Sequence, residues 1–361
     1  MEKRFIPFEK EIPWLIVGGG ISGVCLFYHL TELGEKVILM DNKLSNCSSR
    51  KAIGLVNPFI IKKLSLCWQG AEAFEFALKF FRKLEEKFKK KFISFSPLYR
   101  VFLNSESAQQ WKKIRELHDE RYDFMGLIEN RDIMGKRRKC ASVPHIFRVN
   151  PSTFFLEVED YFKTSIFNQT FIFNNLHASS DGYWIYNNQL FKGIIFCEGK
   201  GILQNPFFKT PIVRLNKGQW IRVNYHWMRE PIGILGKVFI LPDQGTYLVG
   251  STYEFNFDNN LPDEYGRRFL LESFLKLGNQ EPVVLEHKSG IRPTGIDRRP
   301  ILGQHPNYPG IFVFNGLGSR GFLHAPWLGQ TMAHYLKNLK NDVELPADID
   351  IGRFKGYRVN S

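Results

Sequence analysis

Residues 12–41 confine the fold of this chain more than any other stretch. Ile12–Val17 is a short apolar run of strand formers, and Gly18, Gly20 and Gly23 follow it in G-x-G-x-x-G spacing. Ile21–Leu33 then carries Val24, Leu26, Phe27, Leu30 and Leu33 at the spacing of a helix buried on a parallel sheet. Gly34 stands where a left-handed residue closes such a helix, Lys36–Met40 reads as a second strand, and Asp41 ends it. Strand, glycine turn, helix, strand and acid together predict a dinucleotide-binding βαβ unit. Gly18 permits the tight turn, Gly20 admits a pyrophosphate to the backbone, and Gly23 lets helix and strand pack closely. The helix N-terminus at Ile21 and Ser22 would hold the phosphates. Asp41 follows Gly23 by 18 residues, close to the roughly 20 expected of a carboxylate that binds a ribose. Its charge disfavours a 2′-phosphate, so NADP is a poor occupant. The unit alone does not choose between FAD and NAD.

Other classes lose their support. The 361 residues are 43% apolar and 24% charged, which is ordinary globular usage and allows two domains. No run approaches the roughly 18 uninterrupted apolar residues of a membrane span, and the N-terminus does not read as a signal peptide. Five cysteines, Cys25, Cys47, Cys67, Cys140 and Cys197, give an odd count without C-x-x-C spacing. Reduced thiols, a cytoplasmic location and no metal site are expected. H-E-x-x-H, Walker A and G-x-S-x-G motifs are absent from the sequence.

Three further stretches carry a family resemblance. Ser48-Ser49-Arg50-Lys51-Ala52-Ile53-Gly54-Leu55-Val56-Asn57-Pro58 comes just after Asp41. Gly290-Ile291-Arg292-Pro293-Thr294 lies near the C-terminus, with Asp297, Pro300 and Gly303 behind it. Ile311–Phe314 reads as a strand leading into Asn315-Gly316-Leu317-Gly318-Ser319-Arg320-Gly321 and a helix from Phe322 to about Leu339. With the βαβ unit, these resemble the D-amino-acid oxidase and glycine oxidase family of FAD-dependent oxidoreductases. In the middle of the chain, Ile194–Gly199 resembles the strand that returns to the FAD domain, and Lys217-Gly218-Gln219 its P-x-x-G-Q turn without the proline.

The resemblance implies an α/β fold, α+β overall. It combines a discontinuous Rossmann-like FAD domain of glutathione-reductase type (1–90, 148–212 and 286–361) with an antiparallel substrate domain (91–147 and 213–285). It implies non-covalent FAD, since the chain has no cysteine after Cys197. Cofactor contacts are expected at Gly18, Gly20, Ile21, Ser22, Gly23, Asp41, Asn42, Ser48, Ser49, Arg50, Gly54, Glu198, Gly199, Gly318, Ser319, Arg320, Gly321 and Phe322. Arg292 is expected to anchor a substrate carboxylate, because a planar guanidinium grips one in two places. Arg320 is a second candidate, and His324 a third that would face the flavin. Tyr247 and Tyr253 fall in the substrate domain and read as core or surface residues. Arg298 and Arg299 read as a solvated turn. Leu78–Phe92 reads as a charged helix and Thr246–Thr252 as a strand.

The implied activity is oxidation of the C–N bond of a small amine or amino acid by hydride transfer to flavin, the imine then being hydrolysed. Oxygen or another carrier would take the electrons. A rival reading comes from the charge. Lys and Arg number 49 against 36 Asp and Glu, a net +13, with clusters at Arg82–Lys91 and Lys136–Lys139. The glycine-turn and Gly-Leu-Val-Asn-Pro stretches also resemble the FAD module of the bifunctional enzyme that trims a carboxymethylaminomethyl arm on tRNA wobble uridine. There the basic surface would bind phosphates. The methyltransferase module of that enzyme is absent from these residues, so tRNA is the less favoured partner. A non-catalytic FAD-binding protein is the third reading.

Overall fold

The computed structural model describes residues 11–42, 47–117, 124–225, 231–278, 280–341 and 343–357. Trp14–Val17 forms the first strand, α1 spans Ile21–Glu32, and Val37–Met40 pairs parallel to the first strand. Leu33 caps α1, and Gly34 follows at φ +81°. The first strand is central in a six-stranded sheet. Its order is Ile166–Phe167, Val37–Met40, Trp14–Val17, Ile194–Phe196, Ile311–Asn315, Ile301–Gln304. All neighbours run parallel except the last pair. Side chains of one strand alternate between the faces. Ile16 therefore joins the core beneath α1, whereas Leu15 joins the core on the other face.

The helical face is covered by α1, by α3 (Gly70–Phe88) and by α7 (Gly321–Lys337). The phenylalanine wealth of the chain is used here: Phe81, Phe154, Phe155 and Phe322 meet edge-to-face or stacked in one buried cluster. Phe154 and Phe155 come from α5 (Pro151–Tyr161). α3 begins eight residues before the expected Leu78 and stops at Phe88, where Lys89 turns left-handed at φ +54°. Its apolar residues Ala73, Phe74 and Ala77 extend the buried stripe upstream.

A second sheet of eight strands has the order Val283–Gly295, Val213–Asn224, Thr246–Gly250, Phe239–Asp243, Gly233–Leu235, Leu98–Val101, Lys136–Ser142, Ile128–Ile133. It is antiparallel except where Gly233–Leu235 runs beside Leu98–Val101. α4 (Ser105–Leu117) packs Ala108 and Trp111 into the core of this sheet, and α6 (Glu264–Leu275) lies on the Val213–Asn224 strand. Lys217-Gly218-Gln219 is not a turn. It lies inside that strand, paired with Ile291-Gly290-Ser289. Without a proline every residue can donate to the ladder, so the strand runs straight through.

Two hydrogen bonds join the sheets through α2 (Ser48–Lys51). The Ser48 hydroxyl donates to the Ile291 carbonyl, and Trp220 Nε1 donates to the Lys51 carbonyl at 2.7 Å. Gly54, at φ +78°, lets the chain turn against the Phe147–Val149 strand, where a Cβ would lie 1.8 Å from the Val149 carbonyl oxygen. Gly54→Ala should therefore lower stability by at least about 1–3 kcal/mol through left-handed strain alone. Chemical denaturation checks this, and an unchanged midpoint would refute it.

Candidate FAD and substrate site

The glycine turn is built for close approach. A Cβ on Gly18 would lie 2.5 Å from the Cys197 carbonyl oxygen, and one on Gly23 only 1.9 Å from that of Gly18. Gly20 provides no capping side chain, and the Ile21 N–H donates to Ser49 Oγ at 3.0 Å. α7 starts beside α1: a Cβ on Gly321 would lie 2.9 Å from Ile21 Cγ2. Neither helix has an acidic residue in its first turn. Two adjacent helix N-termini without acidic side chains make a site for a polyanion. Asp41 lies against Gly19, where a Cβ would come within 2.7 Å of its Oδ2. Glycine cradle, paired helix ends and terminal acid suit the ADP half of FAD. Gly18, Gly20, Ile21, Ser22, Gly23 and Asp41 would hold it, with Asn42 next in the chain.

Arg50 is held from two sides. Its guanidinium bridges Glu159 at 2.6 Å and Asp41 at 3.4 Å, and lies 4.7 Å from the Phe155 ring centroid. Two carboxylates already answer its charge, so it buttresses Asp41. Ser48 is tied to Ile291 and Ser49 caps α1. Gly54 serves the chain packing described above. Glu198 follows the Ile194–Phe196 strand and accepts from Asn205 Nδ2 at 2.7 Å; burial pushes its carboxyl up to about 7 against that hydrogen bond. Gly199, at φ +59°, offers its carbonyl to Asn315 Nδ2 at 2.8 Å. Gly318, at φ +57°, fits under Thr294, whose Oγ1 a Cβ would meet at 2.7 Å. Phe322 points into the phenylalanine cluster and not out of α7.

Arg292 lies in the Val283–Gly295 strand opposite Asn216. Its guanidinium donates to Asn216 Oδ1 at 2.8 Å, Ser251 Oγ at 2.8 Å and the Thr252 carbonyl at 3.2 Å. All three acceptors are neutral. Burial lowers the pKa of Arg292 from its ordinary value, while Tyr253 and Glu254 pull it back; guanidinium stays charged at any ordinary pH. Gly218 makes the room, since a Cβ there would lie 1.9 Å from Arg292 Nη2. Tyr253 covers the other side, its ring centroid 4.6 Å from Arg292 Cζ. Tyr247 is a core residue, as expected, but Tyr253 is 60% exposed with its hydroxyl turned inward to Ser319. Asn216 and Ser251 are not singled out by the sequence, Gly218 is named there only within the supposed turn, and Thr252 only as the end of a strand. A glycine inside a strand is the signal that marks such a close approach.

His324 is buried in α7, and its Nε2 meets the Trp68 carbonyl at 2.9 Å. Burial lowers its pKa from 6.5 to about 4, the carbonyl opposing. It ties α7 to the loop before α3 and does not join the group around Arg292. His305 is likewise buried, on the Phe207 carbonyl. Arg298 and Arg299 lie on the expected turn, Arg298 at φ +65°.

A parallel sheet bearing a nucleotide cradle, roofed by an antiparallel sheet carrying a half-buried arginine, defines a two-part nucleotide-dependent protein. The comparisons with known proteins narrow this. Residues 14–335 match the FAD dependent oxidoreductase family DAO, and the chain belongs to that family; it is an FAD-dependent oxidoreductase. It is 22% identical to an uncharacterized oxidoreductase, YurR, of Bacillus subtilis, over 92% of this chain and 96% of that protein. It is 25% identical to the tRNA 5-methylaminomethyl-2-thiouridine biosynthesis bifunctional protein MnmC of Leptospira interrogans, over 87% of this chain but 58% of that protein. Its fold matches the crystal structure of glycine oxidase from Geobacillus kaustophilus with a TM-score of 0.76, at 18% identity, covering 95% of this chain and 99% of that one. Among the described residues no helix is long and apolar enough to cross a membrane, and no cluster of ligands could hold a metal ion.

The buried histidine gives a pH prediction. Because the folded pKa of His324 is depressed, its contribution is complete above pH 6.5 and is lost as pH falls toward about 4. His324→Gln should reduce the acid loss of stability across that window by on the order of 3 kcal/mol at most. His29, also lowered to about 4 by burial, retains its share. Denaturant titrations at several pH values check this, and an equally steep acid loss in the variant would refute it.

Proposed function

We propose that the protein oxidises the C–N bond of a small amine or amino acid that carries a carboxylate. The observation behind this reading is Arg292: a charged guanidinium held by three neutral oxygens, seated on Gly218 and roofed by Tyr253. Such a group needs an anion, and a carboxylate matches its two-point geometry. Non-covalently held FAD supplies, when bound, the acceptor for a hydride from the carbon next to nitrogen. The chain orients that C–H bond by fixing the carboxylate on Arg292 and excluding water beneath Tyr253. The nitrogen proton leaves to solvent, and water splits the imine into a carbonyl compound and an amine. Oxygen or another carrier then removes the electrons.

On this reading residues 1–90, 148–212 and 286–361 form the FAD domain. The domain boundary at 286 cuts the Val283–Gly295 strand, so the strand itself is the joint. We place the protein in the cytoplasm, from its reduced cysteines. The net charge of +13 and the likeness to MnmC favour a second reading, in which the carboxylated amine is an arm on a tRNA uridine. The basic run Lys136–Lys139 lies on the outer hairpin of the eight-stranded sheet.

The test is the visible spectrum of the yellow protein, followed anaerobically as glycine, sarcosine, proline and D- and L-amino acids are added. Bleaching by one of them is expected. A flavin that no amine bleaches, including a carboxymethylaminomethyl-uridine tRNA, would leave only a non-catalytic FAD-binding role. Arg292→Ala should raise KM for the bleaching amine on the order of 100-fold, the loss of about 2–3 kcal/mol from a charge-assisted contact. Gly218→Ala should act in the same direction by pushing the guanidinium aside. FAD should stay bound in both, and an unchanged KM in both would remove Arg292 from this role.

A further inference from the structure

Arg292 is not the lone cation in this place. Tyr253 joins it to two others. Although that residue is 60% exposed, its hydroxyl turns in to a hydrogen bond with Ser319, the neighbour of Arg320. Burial pushes the hydroxyl up, but Arg292, the Ser319 bond, Arg320 and Lys62 outweigh it and hold the group below its usual 10. The backbone shows why the three meet. Thr294, two residues after Arg292, bridges to Leu317, so the 317–320 turn lies against the Arg292 strand. Lys62 sits in the turn of the Phe59–Ile60/Ser65–Leu66 hairpin. Cys67, which ends that hairpin, takes a hydrogen bond from Arg320.

The charges are unanswered. Among the described residues Arg292, Arg320 and Lys62 make no ion pair with a carboxylate. The partners of Arg292 are neutral oxygens, and the Arg320 contact named above is a thiol. Several inner cations elsewhere are paired, Lys217 with Asp263, Arg148 and Arg222 with Asp243, Arg50 with Glu159, whereas among the described residues Arg100 and Arg138 each stand alone on a carbonyl. Three like charges around one tyrosine repel each other, and a single carboxylate on Arg292 would leave two of them unrelieved.

We propose that the substrate is an amine bearing two acidic groups, one held by Arg292 and the second, a carboxylate or phosphate, held by Arg320 with Lys62. This rests on the amine-oxidising reading and names its substrate class. Arg320 is in this account a substrate-binding residue, and Lys62 an exposed cation near Tyr253 that selects the dianion.

Binding of unreactive anions to the FAD-loaded protein tests it, read from the perturbation of the flavin absorbance. Acetate offers one charge, malonate two carboxylates, and phosphonoacetate a carboxylate and a phosphonate. Malonate or phosphonoacetate should bind at least about tenfold more tightly than acetate, one added charge-assisted contact's effect. Which of the two binds better tells a second carboxylate from a phosphate. Lys62→Gln and Arg320→Gln should each bring the dianion-to-acetate ratio toward one, and Arg320→Lys should keep part of it. If Arg320→Gln releases FAD, the exposed Lys62→Gln decides alone. A ratio of one in the unaltered protein, or a ratio that Lys62→Gln does not move, overturns the proposal. Failure here is distinguishable from failure of the amine reading. Bleaching by glycine or sarcosine with a ratio of one overturns the dianion and leaves amine oxidation standing. A high ratio in a protein that no amine bleaches does the reverse.

Discussion

The contact between Gly23 and the Gly18 carbonyl sets the geometry of everything around it. With only a hydrogen between them, α1 descends onto the first strand, and its N-terminus opens directly over the end of the sheet. Gly321 repeats the device against Ile21, so α7 begins at the same place. Two positive helix ends side by side repel mildly, and no acidic side chain in either first turn relieves them. The arrangement is therefore stabilised when a dinucleotide's phosphates sit there. The same glycines that shape the cradle thus make the fold and the cofactor depend on each other.

Much of this is legible from the chain, and the reason is local. Strand, turn, helix and strand within residues 14–40 are consecutive, so period and glycine spacing report them directly. Gly34 closes α1 as its position implies. The Ile311–Asn315 strand and α7 follow the same logic at the other end. What escapes is non-local. Arg50 carries a charge whose partner, Glu159, lies 109 positions away on α5, and no spacing rule connects them. His324 has the sequence position of a residue poised for a ring but is turned to the Trp68 carbonyl across 256 positions. The side chain of Phe322 is a third case, because a residue just inside a helix start has one face toward the core. Here that face meets Phe81, Phe154 and Phe155.

The Lys217-Gly218-Gln219 segment shows a different kind of difficulty. By its resemblance to a P-x-x-G-Q turn it reads as a turn. In the structure it is the middle of a twelve-residue strand, and each residue has a separate duty. Lys217 and Gln219 face α6, where Lys217 pairs with Asp263 and Gln219 accepts the Asp263 N–H at 2.9 Å. Asn216, Gly218 and Trp220 face the other way. Asn216 holds Arg292, Gly218 makes room for it, and Trp220 reaches Lys51.

That alternation explains how a cationic site can be kept rigid without being neutralised. Carboxylates near Arg292 would fix it firmly, but they would also compete with a substrate anion. The acids lie on the opposite face of the strand: Asp263 at the start of α6 and Glu254 hold the back of the sheet through Lys217 and Gln219. Arg292 is positioned on the front by an amide, a hydroxyl and a carbonyl. Glu254 still acts on Arg292 through space, which tempers the cost of burying a cation without occupying its donors. Period-two geometry thus divides two tasks that conflict on one surface, and the site keeps a half-buried charge ready for an anion.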